Sequence, residues 1–326
     1  MSIPNAWVLT EGHIGMENQG RGLAERLGLD PAIKRLWPRS PWRYLPPRLW
    51  LAPLRSPGPA GDALALPWPD LLISCGKRST APALAIRRAS GGRTFAVHIS
   101  DPRMPPAKFD LLVVSAHDKP RGDNVVVVRG TVHRVTQGQI NAAARQLEPR
   151  LKHLPRPLVA VLIGGSNRKH KMHGPAMERF AGQLAGLCRD AGAGLLITTS
   201  RRTGEGNEAI LRRRLAGLPA EIWDGAGDNP YFGYLGLADA IVVSADSVSM
   251  VSEACSTGKP AHVARLASLS RRLEAFHAGL QGDGLTRPFA GALEDWGYDP
   301  LDDTGHAAAE VAARMQARGF RFPGMK

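Results

Sequence analysis

The 326 residues of this chain suffice for two domains of ordinary size, each with its own core. A hydrophobic fraction of 43% and a charged fraction of 22% are typical of a globular protein, and no apolar run reaches the length of a membrane span. Three widely separated cysteines, Cys75, Cys188 and Cys255, fit neither a disulfide framework nor a zinc motif. We therefore expect a reducing, cytoplasmic location.

The net charge of +13 is unevenly distributed. Residues 1–150 carry 21 Lys and Arg against 11 Asp and Glu, a net charge of +10, whereas residues 151–326 carry +3. A basic N-terminal half predicts an anionic partner, such as a phosphorylated acceptor or an anionic membrane surface. Nucleic acid is not expected, because no recognition motif accompanies the charge. An arginine-rich proteome is the alternative explanation, but it does not account for the concentration in one half.

The first half alternates short apolar runs with glycine-containing loops and helices. Its predicted strands are Ala6–Thr10, Asp70–Ser74, Thr94–Ile99, Phe109–Val114 and Asn124–Val128. This alternation predicts a parallel α/β sheet, with ligands beyond the carboxyl ends of the strands. The loop after the first strand lacks the spacing G-x-G-x-x-G, so no dinucleotide cofactor is expected.

Residues 36–55 combine three tryptophans, one tyrosine and four arginines with prolines. This composition would suit a membrane interface, where the aromatic rings would lie at headgroup level and the guanidinium groups would bind phosphate. A loop packed against the first domain is the alternative.

A second α/β pattern follows the proline-rich stretch Leu147–Pro157, which we interpret as a linker. Its predicted strands are Leu158–Ile163, Gly194–Thr198, Ile222–Trp223, Ile241–Val243 and His262–Ala264. The expected domains are residues 1–150 and 151–303, with a helix within 304–326 that packs back on the first domain.

A strand, a serine-rich turn and a helix N-terminus occupy residues 241–260. Unpaired N–H groups and the helix dipole favour an anion near Ser247 and Ser249, although Asp246 or either serine could simply cap the helix. Glu253, one turn into the helix, would repel a phosphate but could accept hydrogen bonds from a sugar diol. Phosphate at the turn and ribose at Glu253 together describe a nucleotide site.

Two further loops of the second half suit a diphosphate. The run Gly164-Gly165-Ser166-Asn167 ends a strand, and its glycines would let backbone N–H groups line an anion site. Arg201 and Arg202 follow the next strand and could pair with phosphate oxygens. An ordinary tight turn and a solvated loop are the alternatives.

Residues 249–260 resemble the donor-nucleotide segment of GT-B glycosyltransferases, in the style of the lipid-II-forming GlcNAc transferase. The whole chain resembles the mitochondrial-fission Elm family, whose bacterial members are regarded as GT-B glycosyltransferases. Residues 10–19, 100–103, 164–167 and 198–203 support this resemblance. It implies an α/β protein with two Rossmann-like domains facing a cleft, the acceptor on the first domain and the nucleotide sugar on the second. It also places Glu253 on the donor ribose.

The acceptor hydroxyl needs a base as it attacks the anomeric carbon. His13 and Glu17 in the first loop, and Asp101, are candidates for that role, although Asp101 could equally hold a turn. Arg78 and Arg103 could bind an anionic acceptor. No D-x-D motif occurs, so we expect no metal site, and no cofactor besides the nucleotide-sugar substrate.

The resulting hypothesis is a metal-independent glycosyltransferase that moves a sugar from a nucleotide sugar to an anionic or lipid-linked acceptor. A nucleotide-sugar epimerase and a non-catalytic adaptor of the mitochondrial-fission Elm type are the alternatives. The expected location is the cytoplasm, with peripheral attachment to the inner face of the cytoplasmic membrane as a variant.

Overall fold

The computed structural model describes residues 1–166 and 171–325. The chain divides into two compact units, the first formed by Met1–Arg134 with Asp302–Lys326 and the second by Val135–Leu301. Within the described residues, each unit contains a parallel sheet of six strands with helices. The predicted α/β class with two Rossmann-like units is confirmed.

The sheet of the first unit has the strand order β2-β1-β3-β4-β5-β6. Its strands are β1 (Ala6–Thr10), β2 (Ala32–Arg35), β3 (Leu71–Cys75), β4 (Phe95–Ile99), β5 (Leu111–Ser115) and β6 (Val125–Val128). Helices α1 (Ile14–Arg26) and α2 (Thr80–Ala89) follow β1 and β3. The central strands are apolar throughout because both faces are covered: Val8 and Leu9 point into different cores.

The sheet of the second unit has the order β12-β11-β10-β7-β8-β9. Its strands are β7 (Leu158–Ile163), β8 (Gly194–Thr199), β9 (Ala220–Ile222), β10 (Ala240–Ser244), β11 (Ala261–Ala264) and β12 (Thr286–Pro288). Its helices are α3 (Gln137–Leu151), α4 (Gly174–Asp190), α5 (Glu205–Arg214), α6 (Tyr231–Leu237), α7 (Val248–Cys255) and α8 (Arg271–Gly282).

The linker expected over Leu147–Pro157 begins inside a helix instead, since α3 continues through Pro149 to Leu151. The reason is tight packing of α3 against α6 at two glycines. A Cβ on Gly236 would lie 2.3 Å from the carbonyl oxygen of Ile140, and one on Gly233 would lie 2.8 Å from Leu147 Cδ2. Tertiary packing thus outweighs the local preference of proline for irregular structure, and the first unit ends earlier, at Arg134.

Helix α9 (Asp303–Gln316) belongs to the first unit, and its apolar face joins that core through Ala308, Val311 and Met315. Its first residue anchors it: the buried Asp303 carboxylate accepts hydrogen bonds from the N–H groups of Arg129, at 3.1 Å, and Gly130, at 2.6 Å. The helix is therefore fixed to the loop that follows β6.

Replacing Asp303 by alanine is expected to destabilise the first unit. Two backbone N–H groups would lose their acceptor, and a buried unsatisfied donor costs about 1–3 kcal/mol. The urea midpoint of the variant should fall clearly below that of Asp123→Ala, which removes an exposed carboxylate of the same unit. Equal midpoints for the two variants would contradict the anchoring role.

Candidate functional site

The chain reverses its direction of travel across the second sheet between β7 and β10. From β7 it proceeds outward to β8 and β9, then returns to the other side of β7 with β10. Ligands of open parallel sheets bind beyond the carboxyl ends of the strands at such a point. The loops that begin at Gly164 and Ala245 meet here, so the structure brings together the predicted donor residues Gly164, Gly165, Ser166 and Ser247.

Asp246 is the centre of this loop cluster, with a side chain that is only 4% exposed. Its Oδ2 accepts the N–H of Gly165 at 2.8 Å, and its Oδ1 accepts the hydroxyl of Ser244 at 2.8 Å. The guanidinium of Arg202 lies 3.4 Å from Oδ2 and donates to the Gly165 carbonyl at 3.1 Å. One carboxylate therefore ties together the loops after β7, β8 and β10. The sequence identified Asp246 only as a possible helix cap.

The N–H groups of the glycine loop are used inside the protein. Gly164 donates to Ser244 Oγ at 2.8 Å, Gly165 donates to Asp246, and Ser166 donates to the Arg202 carbonyl at 2.9 Å. In the structure these three groups therefore stabilise the loop cluster and do not line an open anion nest. Asn167, the fourth predicted member, lies outside the described residues.

The two arginines that follow β8 have different surroundings. Arg202 is held by Asp246 and the Gly165 carbonyl, so its guanidinium helps to stabilise the loops. Arg201 is exposed and has no hydrogen-bond or ion-pair partner among residues 1–166 and 171–325. Of the predicted pair, Arg201 is the cation available to an incoming anion.

Helix α7 begins at the same edge of the sheet. Ser247 is its N-cap, with a hydroxyl oxygen that accepts the N–H of Met250 at 3.4 Å. Ser249 lies in the first turn and is partly exposed. The positive end of the α7 dipole is therefore directed toward the loop cluster, which favours an anion there.

Glu253 lies further along α7, partly buried, beside the first residue of α6. The hydroxyl of Tyr231 donates to Glu253 Oε2 at 2.5 Å. Burial raises the pKa of Glu253 to about 7, against a smaller lowering by that hydrogen bond. Burial and the neighbouring carboxylate raise the pKa of Tyr231, so the phenol keeps its proton and acts as the donor. No sequence signal pointed to Tyr231, which is distant from Glu253 in the chain.

The first sheet has a corresponding reversal between β1 and β3. There the buried Glu11 carboxylate accepts the N–H of Arg78 at 2.8 Å and lies 3.3 Å from its Nη1. His13, the N-cap of α1, is exposed, and its ring is edge-on to Trp37 at 6.4 Å. Glu11 orients Arg78, a role that the sequence did not assign. The structure thus brings His13 and Arg78 to one edge of the sheet.

The other two predicted bases, Glu17 and Asp101, already have cationic partners. Both oxygens of the buried Glu17 accept from Arg35, at 2.8 and 2.9 Å, and this hydrogen bond is the main cause of a raised pKa of Arg35. Asp101 accepts the N–H of Arg103 at 2.8 Å, and its Oδ2 lies 3.3 Å from Arg103 Nε. Asp101 therefore holds a turn, which was one of its two interpretations. Either residue would have to leave its partner before it could accept a proton.

Two further observations concern membrane spans and metal sites in the described residues. None of the helices within 1–166 and 171–325 combines the length and the apolar character that a bilayer span requires. In the same ranges, His, Cys, Asp and Glu side chains form no group of three or more that could hold a metal ion.

Comparisons with known proteins agree with this architecture. Mitochondrial fission protein ELM1 of Arabidopsis thaliana is 31% identical over 279 residues, which are 77% of this chain and 65% of that relative, so the chain spans less than two thirds of its length. A UDP-GlcNAc 2-epimerase from Methanocaldococcus jannaschii has the same fold, with a TM-score of 0.58 and 11% identity over 98% of this chain and all of the other. A Neisseria meningitidis UDP-GlcNAc 2-epimerase bound to UDP-GlcNAc gives 0.54 and 12% over 97% and 100%.

The family model described as mitochondrial fission ELM1 matches residues 14–315, which is most of the chain and covers the larger part of both units. This agrees with the family that the sequence motifs indicated. The chain belongs to the mitochondrial fission ELM1 family.

Proposed function

We propose that this protein is a glycosyltransferase of the GT-B type that binds a nucleotide sugar on its second unit and needs no metal ion. One observation carries the proposal. At the reversal point of the second sheet, Asp246 holds three loops together, while exposed Arg201 and the α7 N-terminus provide positive charge at the same edge. A diphosphate fits such a place, because its charge grows as the sugar leaves.

Glu253 would accept hydrogen bonds from the ribose hydroxyls of the donor. Its Oε2 already accepts from Tyr231, which fixes the carboxylate, and the remaining acceptor positions suit a diol. The UDP-GlcNAc held by the Neisseria meningitidis epimerase supports the idea that this fold accommodates a nucleotide sugar. A uridine nucleotide is therefore the first ligand to test.

The acceptor would bind on the first unit. Of the predicted bases, His13 is exposed and forms no ion pair within residues 1–166 and 171–325, so we assign it the removal of the acceptor proton. Arg78, oriented by Glu11, would hold an anionic part of the acceptor.

Calorimetric titration with UDP, UDP-GlcNAc and a panel of other nucleotide sugars tests the proposal. At least one should bind, and Arg201→Gln should weaken that binding about tenfold, because a hydrogen bond to a charged group contributes about 1.5–3 kcal/mol. Arg145→Gln, which removes an exposed arginine of α3, is the matched control.

Three outcomes would count against the proposal. Folded protein that binds no nucleotide of the panel would exclude a donor site. Conversion of a bound nucleotide sugar without any acceptor would identify a nucleotide-sugar epimerase instead. Full function in cells of a Glu253→Gln, Arg201→Ala double variant would favour a non-catalytic adaptor.

A further inference from the structure

A cavity of about 370 Å³ opens on the first unit, at the loops that follow β4 and β5. Its charged lining residues are Arg48, Asp101, Arg103 and Lys119, and Met104 with three prolines completes the wall. Three cations thus face one carboxylate. Arg48 belongs to the segment 36–55 that was considered for a membrane interface, whereas Lys119 was not expected to form a site from the sequence.

The positive charge of this cavity is not neutralised by its own residues. Asp101 is paired with Arg103, whose Nε lies 3.3 Å from the carboxylate. Arg48 donates to the carbonyl of Arg103, at 3.1 and 2.5 Å, and has no carboxylate partner in the described residues. In the same ranges Lys119 has no partner at all. Two positive charges therefore remain for an anion.

The backbone of this loop is held in an uncommon conformation. Ser100 and Arg103 have φ angles of 85° and 57°, in the left-handed region that favours glycine. Such strain persists only where neighbouring contacts maintain it. The two hydrogen bonds from Arg48 and the pairing with Asp101 are those contacts, so the cavity has a defined shape.

Exposed apolar side chains follow Arg48 directly in the chain. Arg48 belongs to a short 3-10 turn, Pro47–Leu49, and next to it Leu49 and Leu51 are 61% and 85% exposed. The tryptophans of the segment are used differently: Trp42 and Trp50 donate to the carbonyls of Leu51 and Leu45 and so stabilise the loop. Leu49 and Leu51 are therefore more exposed than Trp42 and Trp50 and are available for insertion into a membrane.

We propose that this surface binds a phosphate-bearing lipid. Arg48, Arg103 and Lys119 contact the phosphate in the cavity, while Leu49 and Leu51 enter the acyl region beside it. The anionic headgroup of such a lipid matches the cationic cavity, and its acyl chain matches the exposed leucines that follow Arg48 in the chain. The inference rests on the proposed function only in identifying this lipid with the acceptor.

Co-sedimentation with vesicles, without any nucleotide, tests the site. Phosphatidylcholine vesicles containing phosphatidic acid should bind the protein, and phosphatidylcholine alone should not. Lys119→Glu should weaken binding roughly thirty-fold, about 2 kcal/mol, because it exchanges one favourable charge for an unfavourable one at about 1 kcal/mol each. Leu51→Ser should also weaken it. These substitutions break no described side-chain contact, so the fold should persist.

Matched controls separate the site from general charge. Arg145→Glu makes the same charge change on the second unit, and Ile3→Ser removes another exposed apolar side chain of the first; both should bind nearly as the original protein does. Equal losses in Lys119→Glu and Arg145→Glu would overturn the site. Glycerol 3-phosphate that binds as tightly as the vesicles, without any effect of Leu51→Ser, would show a soluble phosphate ligand and overturn the lipid assignment. Because no nucleotide is present, failure here leaves the donor-site proposal to be judged by its own titration.

Discussion

Glu253→Gln is expected to remove most of the affinity for the nucleotide while the protein stays folded. The amide can still accept the hydrogen bond from Tyr231, so the local packing persists. The variant loses the charged acceptor for the ribose diol. Affinity falls because each hydrogen bond to a charged group contributes about 1.5–3 kcal/mol. A dissociation constant about 100-fold higher, measured by calorimetry at pH 8, is the expected result.

As the pH rises through about 7, the affinity for the nucleotide should increase while the stability of the protein decreases. Burial raises the pKa of Glu253 from an ordinary value of 4.5 to about 7, so nucleotide affinity should increase as the pH rises through about 7 and the carboxylate ionises. Protonated Glu253 stabilises the folded protein. This contribution is fully present below about pH 4.5 and is lost as the pH rises through about 7. Glu253→Gln resembles the protonated form, so at pH 8 it should be at least as stable as the original protein and should bind with little pH dependence.

A 2′-deoxynucleotide is the control for the ribose contact. The original protein should prefer the ribonucleotide, and Glu253→Gln should bind the two forms almost equally. Tyr231→Phe should reduce that preference partly, because the carboxylate would lose the hydroxyl that orients it. An unchanged preference in Glu253→Gln would show that Glu253 does not contact the ribose.

Gly165→Ala is expected to disrupt the loop cluster of the second unit. The added Cβ would lie 2.1 Å from the carbonyl carbon and oxygen of Arg202 and 2.4 Å from the Thr203 nitrogen, all of which are backbone atoms that cannot rotate away. Overpacking of this kind costs about 1–3 kcal/mol. Thermal unfolding should show the loss of stability. Because the loop of Arg201 would be displaced, calorimetric titration should also show that nucleotide binding is lost.

The matched control is Gly206→Ala on α5, where an added Cβ meets nothing within 4 Å. Alanine favours helix over glycine by about 1 kcal/mol, so this variant should be neutral or slightly more stable. Normal nucleotide binding by Gly165→Ala would show that the approach of the two loops is not needed for the donor site.

The sequence by itself determined most of both sheets: each of the ten predicted strands overlaps a strand of the structure, whereas the edge strands β2 and β12 were not predicted. Strands such as Leu158–Ile163 are apolar throughout because both of their faces are buried, and that pattern is local and readable. The cap at Ser247 and the glycines of the tight loop follow from equally local rules of backbone geometry. The position of the candidate site beyond the strand ends was therefore predictable.

Tertiary structure alone decided which side chains meet at those ends. Asp246 reaches Gly165 and Arg202 because β10 lies beside β7 and β7 beside β8, an order that no sequence period encodes. Tyr231 reaches Glu253 because α6 and α7 begin at one edge of the same sheet. Buried polar groups must find partners wherever the packed chain supplies them, so Glu17 is paired with Arg35 and Glu11 with Arg78. Those pairings depend on distances that exist only after the strands have assembled, which is why the sequence identified the loops but not the partners within them.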